Sequence, residues 1–148
     1  MLIRSATLVD VAGWAALRGA LWPDAPHDAL RAEAGAMLAQ PSGDQVTFVA
    51  VDEAGAIHGF VEAALRRDYV NGCETSPVAF LEGIYVRPEH RAAGIGRRLV
   101  ARVSIWAREQ GCSEIASDAL IENADSHAFH AAIGFEETER VVYFRQRL

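Results

Sequence analysis

The sequence predicts an α/β fold in one domain spanning residues 1–148. Two stretches, Val11–Leu21 and Gly94–Gln110, carry apolar residues at helical spacing. Three others, Gln45–Val51, Ile57–Leu65 and Val78–Val86, are short apolar runs bounded by turn residues, as strands are. A chain of 148 residues can enclose one full core, and no repeat, linker or low-complexity tract divides it.

In order, Leu2–Ala6 reads as a short strand and Thr7 as the cap of a helix with Asp10 in its first turn. Val11, Trp14, Ala15, Leu17, Arg18 and Leu21 keep helical spacing until Trp22-Pro23-Asp24-Ala25-Pro26 breaks it. His27–Ala39 is a second helix, with Leu30, Ala34, Met37 and Leu38 on its apolar side. Pro41-Ser42-Gly43-Asp44 turns into the strand Gln45–Val51, and Asp52-Glu53-Ala54-Gly55 is a hairpin turn to Ile57–Leu65. The faces of that strand alternate, with His58, Phe60, Glu62 and Ala64 on one side. Arg66–Pro77 is long for a hairpin loop, and long ordered loops often carry binding residues. Val78–Val86 is apolar on both faces apart from Glu82, which places it inside the sheet. In Gly94–Gln110, Ile95, Leu99, Val103 and Trp106 face inward, and Gly111 ends the helix. Glu114–Asp118 reads as a short strand, Asn123–Ala132 as a helix, and Phe135 onward as a returning strand centred on Val141, Val142, Tyr143 and Phe144.

The composition, 51% hydrophobic and 23% charged, is that of a soluble globular protein. A net charge of −6 argues against nucleic acid as a partner, since phosphate contacts need a basic surface. It permits a cationic substrate. No apolar run is long enough to span a membrane and no signal pattern opens the chain, so a cytoplasmic protein is expected. Cys73 and Cys112 make no disulfide framework, and neither HExxH nor CxxC spacing occurs, so no metal is expected.

The most informative stretch is Phe80–Arg98, FLEGIYVRPEHRAAGIGRR. A strand leads through a proline turn into Arg91-Ala92-Ala93-Gly94-Ile95-Gly96, which opens a helix. Backbone N–H groups at a helix start lack intrahelical partners, and the helix dipole favours negative charge there. Gly94 and Gly96 have no Cβ to block an anion, and Arg91, Arg97 and Arg98 add positive charge. The corner reads as a pyrophosphate cradle.

Other residues admit two readings each. Glu82 shares a strand face with Val78, Phe80, Ile84 and Val86, where a carboxylate must be paired or reach water. It is a cleft acid serving a substrate amine or a structural acid paired with an arginine. Asp118, at a strand end, is a cleft acid or a turn residue. Glu139 lies in the acidic run Glu136-Glu137-Thr138-Glu139, ordinarily a solvated face. Trp22 and Tyr69 are exposed rings for stacking on a sugar or approaching an ammonium, or Trp22 plugs the end of its helix. Gly83 permits a bulge or accommodates packing.

The pattern around Arg91–Gly96 resembles the acyl-CoA-binding motif of the GCN5-related N-acetyltransferases (GNAT), Q/R-x-x-G-x-G/A. Leu81-Glu82-Gly83-Ile84, Ala116-Ser117-Asp118, Asn123 and Gly134-Phe135-Glu136-Glu137-Thr138-Glu139-Arg140 resemble the aminoglycoside 6′-N-acetyltransferases within that family. Trp22-Pro23 and Asp68-Tyr69-Val70-Asn71-Gly72-Cys73 fit the same subgroup. The resemblance implies a mixed, mostly antiparallel central sheet flanked by helices. It also implies acetyl-CoA as cosubstrate, transfer to the 6′-amine of an aminoglycoside, and a homodimer. Carried over residue by residue, it assigns acid chemistry to Glu82 and Asp118. Acetyl-CoA contacts fall to Ile84, Tyr85, Val86, Arg91, Ala92, Ala93, Gly94, Ile95, Gly96, Arg97 and Asn123, the last also an ordinary helix cap. Substrate contacts fall to Trp22, Tyr69, Glu82, Asp118 and Glu139. Two positions depart from the pattern. Ala25 replaces a histidine, with His27 two residues on, and His130 occupies the place of a tyrosine that protonates the leaving thiolate. His130 is a proton donor or a packed helix residue, so the general acid is unassigned. Neither cysteine has a histidine partner motif, which leaves direct attack of a neutral amine, with Glu82 as base through water, as the expected mechanism. The alternatives are a GNAT enzyme for another amine, a polyamine or a protein N-terminus, and a non-catalytic acetyl-CoA-binding regulator.

Overall fold

The computed structural model describes residues Met1–Leu148. The chain opens with β1 (Leu2–Ser5), a 3₁₀ turn (Leu8–Asp10), α1 (Val11–Leu21) and α2 (His27–Ala39). Next come β2 (Gln45–Val51), β3 (Ile57–Arg66), β4 (Val78–Val86) and a second 3₁₀ turn (Pro88–His90). The chain continues through α3 (Ile95–Glu109), β5 (Ile115–Ala116) and α4 (Ala124–Ala132). The strands form one sheet in the order β1-β2-β3-β4-β5. β1 to β4 pair antiparallel and β5 lies parallel to β4, so the sheet is mixed and mostly antiparallel as expected.

Alternation along the strands sends side chains to two cores. Phe48, Ala50, Val61, Ala63 and Leu81 pack under Ile95, Leu99 and Val103 of α3. Val49, Val51, Ile57 and Phe60 face Trp14 and Leu17 of α1 and Ala34 of α2. Local chemistry sets the entry to α1. The Asp10 carboxylate accepts the Thr7 backbone N–H at 2.7 Å and Arg4 at 2.6 and 2.9 Å. The hydrogen bond from Arg4 holds this carboxyl below the usual range.

Three expectations are corrected. β5 pairs over Ile115–Ala116 only, so Asp118 lies two residues beyond it. The segment from Phe135 forms no strand, and Val141, Val142, Tyr143 and Phe144 are exposed. Apolar β-formers make a strand only where a neighbouring edge accepts their backbone groups, and nothing within the chain supplies one. Finally, Glu82 does not share a face with Ile84 and Val86. Ala63 pairs with Leu81 and Glu62 with Gly83, so Glu82 is the extra residue of a β-bulge. Beyond it the faces change over, which puts Ile84 and Val86 on the α3 core and Tyr85 on the α1 core.

Candidate active site

The bulge stands at the centre of the candidate site. Glu82 lines a cavity of about 850 Å³ between the α1–α2 layer and the sheet, with Trp22, Arg18, Glu33 and Glu62 also in its wall. That volume is in the range of small-molecule sites. Gly83 follows the bulge because the Trp22 ring lies on it, and a Cβ there would come within 2.7 Å of the indole. Trp22 also meets Phe60 edge-on with centroids 6.3 Å apart. The Trp22 ring therefore packs on the core at the end of its helix and also walls the cavity.

Glu82 is paired. Arg66 at the end of β3 donates from one nitrogen to both Glu82 oxygens, at 3.0 and 3.2 Å, and its guanidinium lies 3.7 Å over the Phe80 ring. Both side chains remain partly exposed, so the carboxylate is still open to the cavity. The arginine partner expected of a structural acid is thus present on an acid that also faces the cleft.

Beneath the cavity is a buried ion pair that the sequence reading did not assign. Arg18 donates to Glu62 at 2.7 and 3.2 Å, to the Leu30 carbonyl at 2.8 Å and to Glu33 at 2.9 Å. Trp14 adds an indole N–H to Glu62 at 2.8 Å. The guanidinium lies 5.8 Å from the Trp14 ring and 5.1 Å from the Trp22 ring. Burial opposes its charge, but the Glu62 and Glu33 contacts outweigh that and raise its pKa. The signal was in the sequence, as an arginine at an apolar helix position and a glutamate on an apolar strand face.

The remaining substrate candidates lie outside this cavity's lining. Asp118 is exposed beyond β5, and Tyr69 is exposed in the β3–β4 loop. That loop is tied down by Glu114, whose carboxylate accepts Glu74 N at 2.9 Å, Thr75 N at 2.7 Å and the Thr75 hydroxyl. Glu139 is brought toward Tyr69's loop by its neighbour. Thr138 lies so close on Gly72 that a Cβ there would overlap it, and Gly72 has φ +82. Ala25 lines the cavity in place of the absent histidine, whereas His27 is exposed at the start of α2 and lies outside that lining.

At the candidate cradle the backbone is left-handed at two positions, and one of its glycines serves packing instead. Gly94 caps α3 at φ 80, and Ala92 is left-handed at φ 61, a conformation costing an L-residue roughly 1–2 kcal/mol. Left-handed residues at a helix start turn successive N–H groups toward one point, as in anion-binding nests. A Cβ at Gly94 would meet nothing within 4 Å, so this backbone is open to a ligand. Gly96 has another reason for being glycine: a Cβ there would lie 2.8 Å from the Phe129 ring of α4. Arg91 donates to the Val86 carbonyl at 2.8 Å and Arg97 to the Ala132 carbonyl at 2.7 Å. Arg98 turns away to the Met1 carbonyl at 2.9 Å. Ala93 is exposed beside Gly94, and Ile95 is buried in the α3 core.

Beyond Phe80, β4 has no strand on the β5 side, because the two strands pair only at Ala79↔Ile115 and Phe80↔Ala116. Along Ile84, Tyr85 and Val86, the Val86 carbonyl is taken by Arg91, and the other backbone groups that point away from β3 are left for another partner. Asn123 caps α4 through its side-chain oxygen, which accepts Ser126 N at 3.2 Å. Burial pushes the Cys73 and Cys112 thiols up, which suits neither to nucleophilic attack at neutral pH. No group of three or more His, Cys, Asp or Glu side chains is placed to hold a metal ion, and no helix is long and apolar enough to cross a membrane.

Comparison with known proteins places this geometry. Residues 14–135 match the model of the acetyltransferase (GNAT) family. The chain is 53% identical over 146 residues to an aminoglycoside N(6′)-acetyltransferase type 1 of Stenotrophomonas maltophilia, covering 99% of this chain and 93% of the relative. A protein of the same name from Serratia marcescens is 54% identical over 135 residues, covering 91% of each. Among solved structures, AAC(6′)-Iy bound to the bisubstrate analogue CoA-S-monomethyl-acetylneamine superposes with a TM-score of 0.91 at 43% identity, covering 99% of this chain and 98% of that one. The same protein in complex with CoA gives 0.93 at 43% identity, covering 99% and 95%.

Proposed function

The chain belongs to the GNAT family of acetyltransferases, and we propose from that footing that it moves the acetyl group of acetyl-CoA to the 6′-amine of aminoglycosides. Such acetylation removes a cationic centre from the drug and confers resistance. The observation that carries the site assignment is the bulge. It sets Glu82 in a cavity against Trp22, beside a half-strand whose free backbone continues to the cradle.

Acetyl-CoA lays its pyrophosphate on the backbone from Arg91 to Gly96, with Arg97 and Asn123 at the edge. Its thioester follows the open side of Ile84, Tyr85 and Val86. Free N–H groups there stabilise the oxyanion that forms as the amine attacks. Glu82 and Asp118 hold the substrate ammonium, and Glu82 takes its proton through water. Trp22 and Tyr69 offer ring faces to the sugar, and Glu139 meets a further ammonium. Aligning amine and thioester contributes roughly 7–11 kcal/mol of the rate enhancement. Residues 1–148 act as one catalytic domain, a homodimer joined through the unpaired C-terminal segment, working in the cytoplasm where acetyl-CoA is made.

The test is thiol release from acetyl-CoA with kanamycin and with an analogue bearing a 6′-hydroxyl. Turnover with kanamycin and none with the analogue is expected. Equal rates on both, or faster turnover of a polyamine, would overturn the assignment.

A further inference from the structure

The reaction leaves a thiolate behind, and a proton must reach it. Outside the carboxylate site, one coupled pair of protic side chains stands where β5 leaves β4. Ser117 is the first residue after β5, where β5 and β4 part. Its hydroxyl lies 2.8 Å from His130 Nε2. His130 Nδ1 lies 2.7 Å from the Ser126 carbonyl oxygen. A carbonyl only accepts, so Nδ1 carries hydrogen whether the ring is neutral or charged. In the neutral ring Nε2 accepts the Ser117 proton. In the imidazolium Nε2 donates instead, and the Ser117 O–H is released to turn toward the opening.

The ring is held for this exchange. Phe129 and Phe135 meet it edge-on, with centroids 5.8 and 5.2 Å away. Phe129 in turn packs on Gly96, which fixes α4 against the start of α3. The pair thus stands between the cradle and the diverging strand. Charged and titratable groups on the elements around it are Asp118 next to Ser117, Arg97 of α3 on the Ala132 carbonyl, Asp125 and His127 of α4, and Glu136 after Phe135.

We propose that Ser117, recharged by His130, protonates the departing thiolate. The inference rests on acetyl-CoA lying along the open half of β4. As the tetrahedral intermediate collapses, the C–S bond breaks and sulfur keeps the electron pair. The Ser117 O–H bond breaks toward sulfur while the His130 Nε2–H proton passes to Oγ. The amide, the free thiol and neutral His130 result. His130 then takes a proton from solvent, which has received the proton the amine gave up.

Two measurements test the relay. In the first, kcat with kanamycin is followed against pH for the wild type, Ser117→Ala, Ser117→Thr and His130→Gln, with CoA affinity measured alongside. Ser117→Ala lowers kcat on the order of 10²-fold, the low end for a general acid, with CoA affinity within about twofold, and Ser117→Thr restores most of it. Wild-type kcat declines as rising pH strips the imidazolium. His130→Gln holds Ser117 with an amide N–H that cannot titrate, so its lower rate lacks that decline. Unchanged kcat in Ser117→Ala, an alkaline decline kept in His130→Gln, or a parallel loss of CoA affinity overturns the relay. In the second, the thiolate absorbance of bound CoA is titrated without any amine. The thiol ionises at lower pH in wild type than in Ser117→Ala, because the relay donates to the thiolate, and identical titrations overturn the relay. This measurement decides the relay even where the wild type leaves kanamycin untouched, the result that would overturn the proposed function instead.

Discussion

At the scale of single residues, the most exacting contact is Arg18 with Glu62. Removing one partner of a buried ion pair leaves the other charge without compensation, a loss of about 3–5 kcal/mol. Arg18→Met should therefore lower stability by that order in denaturant unfolding, while Arg18→Met with Glu62→Met should recover much of it. The substitution also frees Trp22 and Glu33 in the cavity wall, so the KM for the aminoglycoside should rise before that for acetyl-CoA. An unchanged unfolding midpoint would show that this pair contributes nothing. Arg18 and Glu62 were each legible as charges in apolar patterns. Their pairing was not, because 44 residues separate them and only the tertiary fold brings α1 against β3. The Ser117–His130 contact escaped for the same reason. Glu82 was legible as an acid that needs a partner or an opening to water, but its partner Arg66 was not chosen among the arginines.

At the scale of elements, helix periodicity and apolar strand runs marked α1 to α4 and β2 to β4 nearly residue for residue. β5 was overestimated because two ladder positions leave little signature in a sequence. The glycines of the cradle show how one residue type serves two ends. Gly94→Ala meets only backbone strain, roughly 1–2 kcal/mol at its left-handed φ. Gly96→Ala drives a methyl into Phe129 and should cost about 1–3 kcal/mol by overpacking. Adding Phe129→Leu should relieve the second loss and leave the first untouched, as thermal unfolding of the four variants will reveal.

At the scale of the whole molecule, the sequence places basic groups along α3 and acids elsewhere, within a net charge of −6. The C-terminal segment is where sequence and structure part. Its apolar residues predict a strand, and within one chain it has none to join: Phe144 is 91% exposed and Tyr143 84%. A strand signal without a partner is information about assembly. Ending the chain at Arg140 should turn a dimer into a monomer in sedimentation velocity, with the isolated fold intact. A full-length chain that already sediments as a monomer would remove the dimer from the account.

The bulge at Glu82 has one last consequence. Because side chains in a strand alternate, a single supernumerary residue reverses the parity of everything after it. Deleting Glu82 would do more than remove a carboxylate. It would make Ala63↔Leu81 and Glu62↔Gly83 consecutive pairs of a regular ladder. Ile84 and Val86 would stay against the long helix and Tyr85 opposite, and only the step in the cavity wall would be lost with the acid.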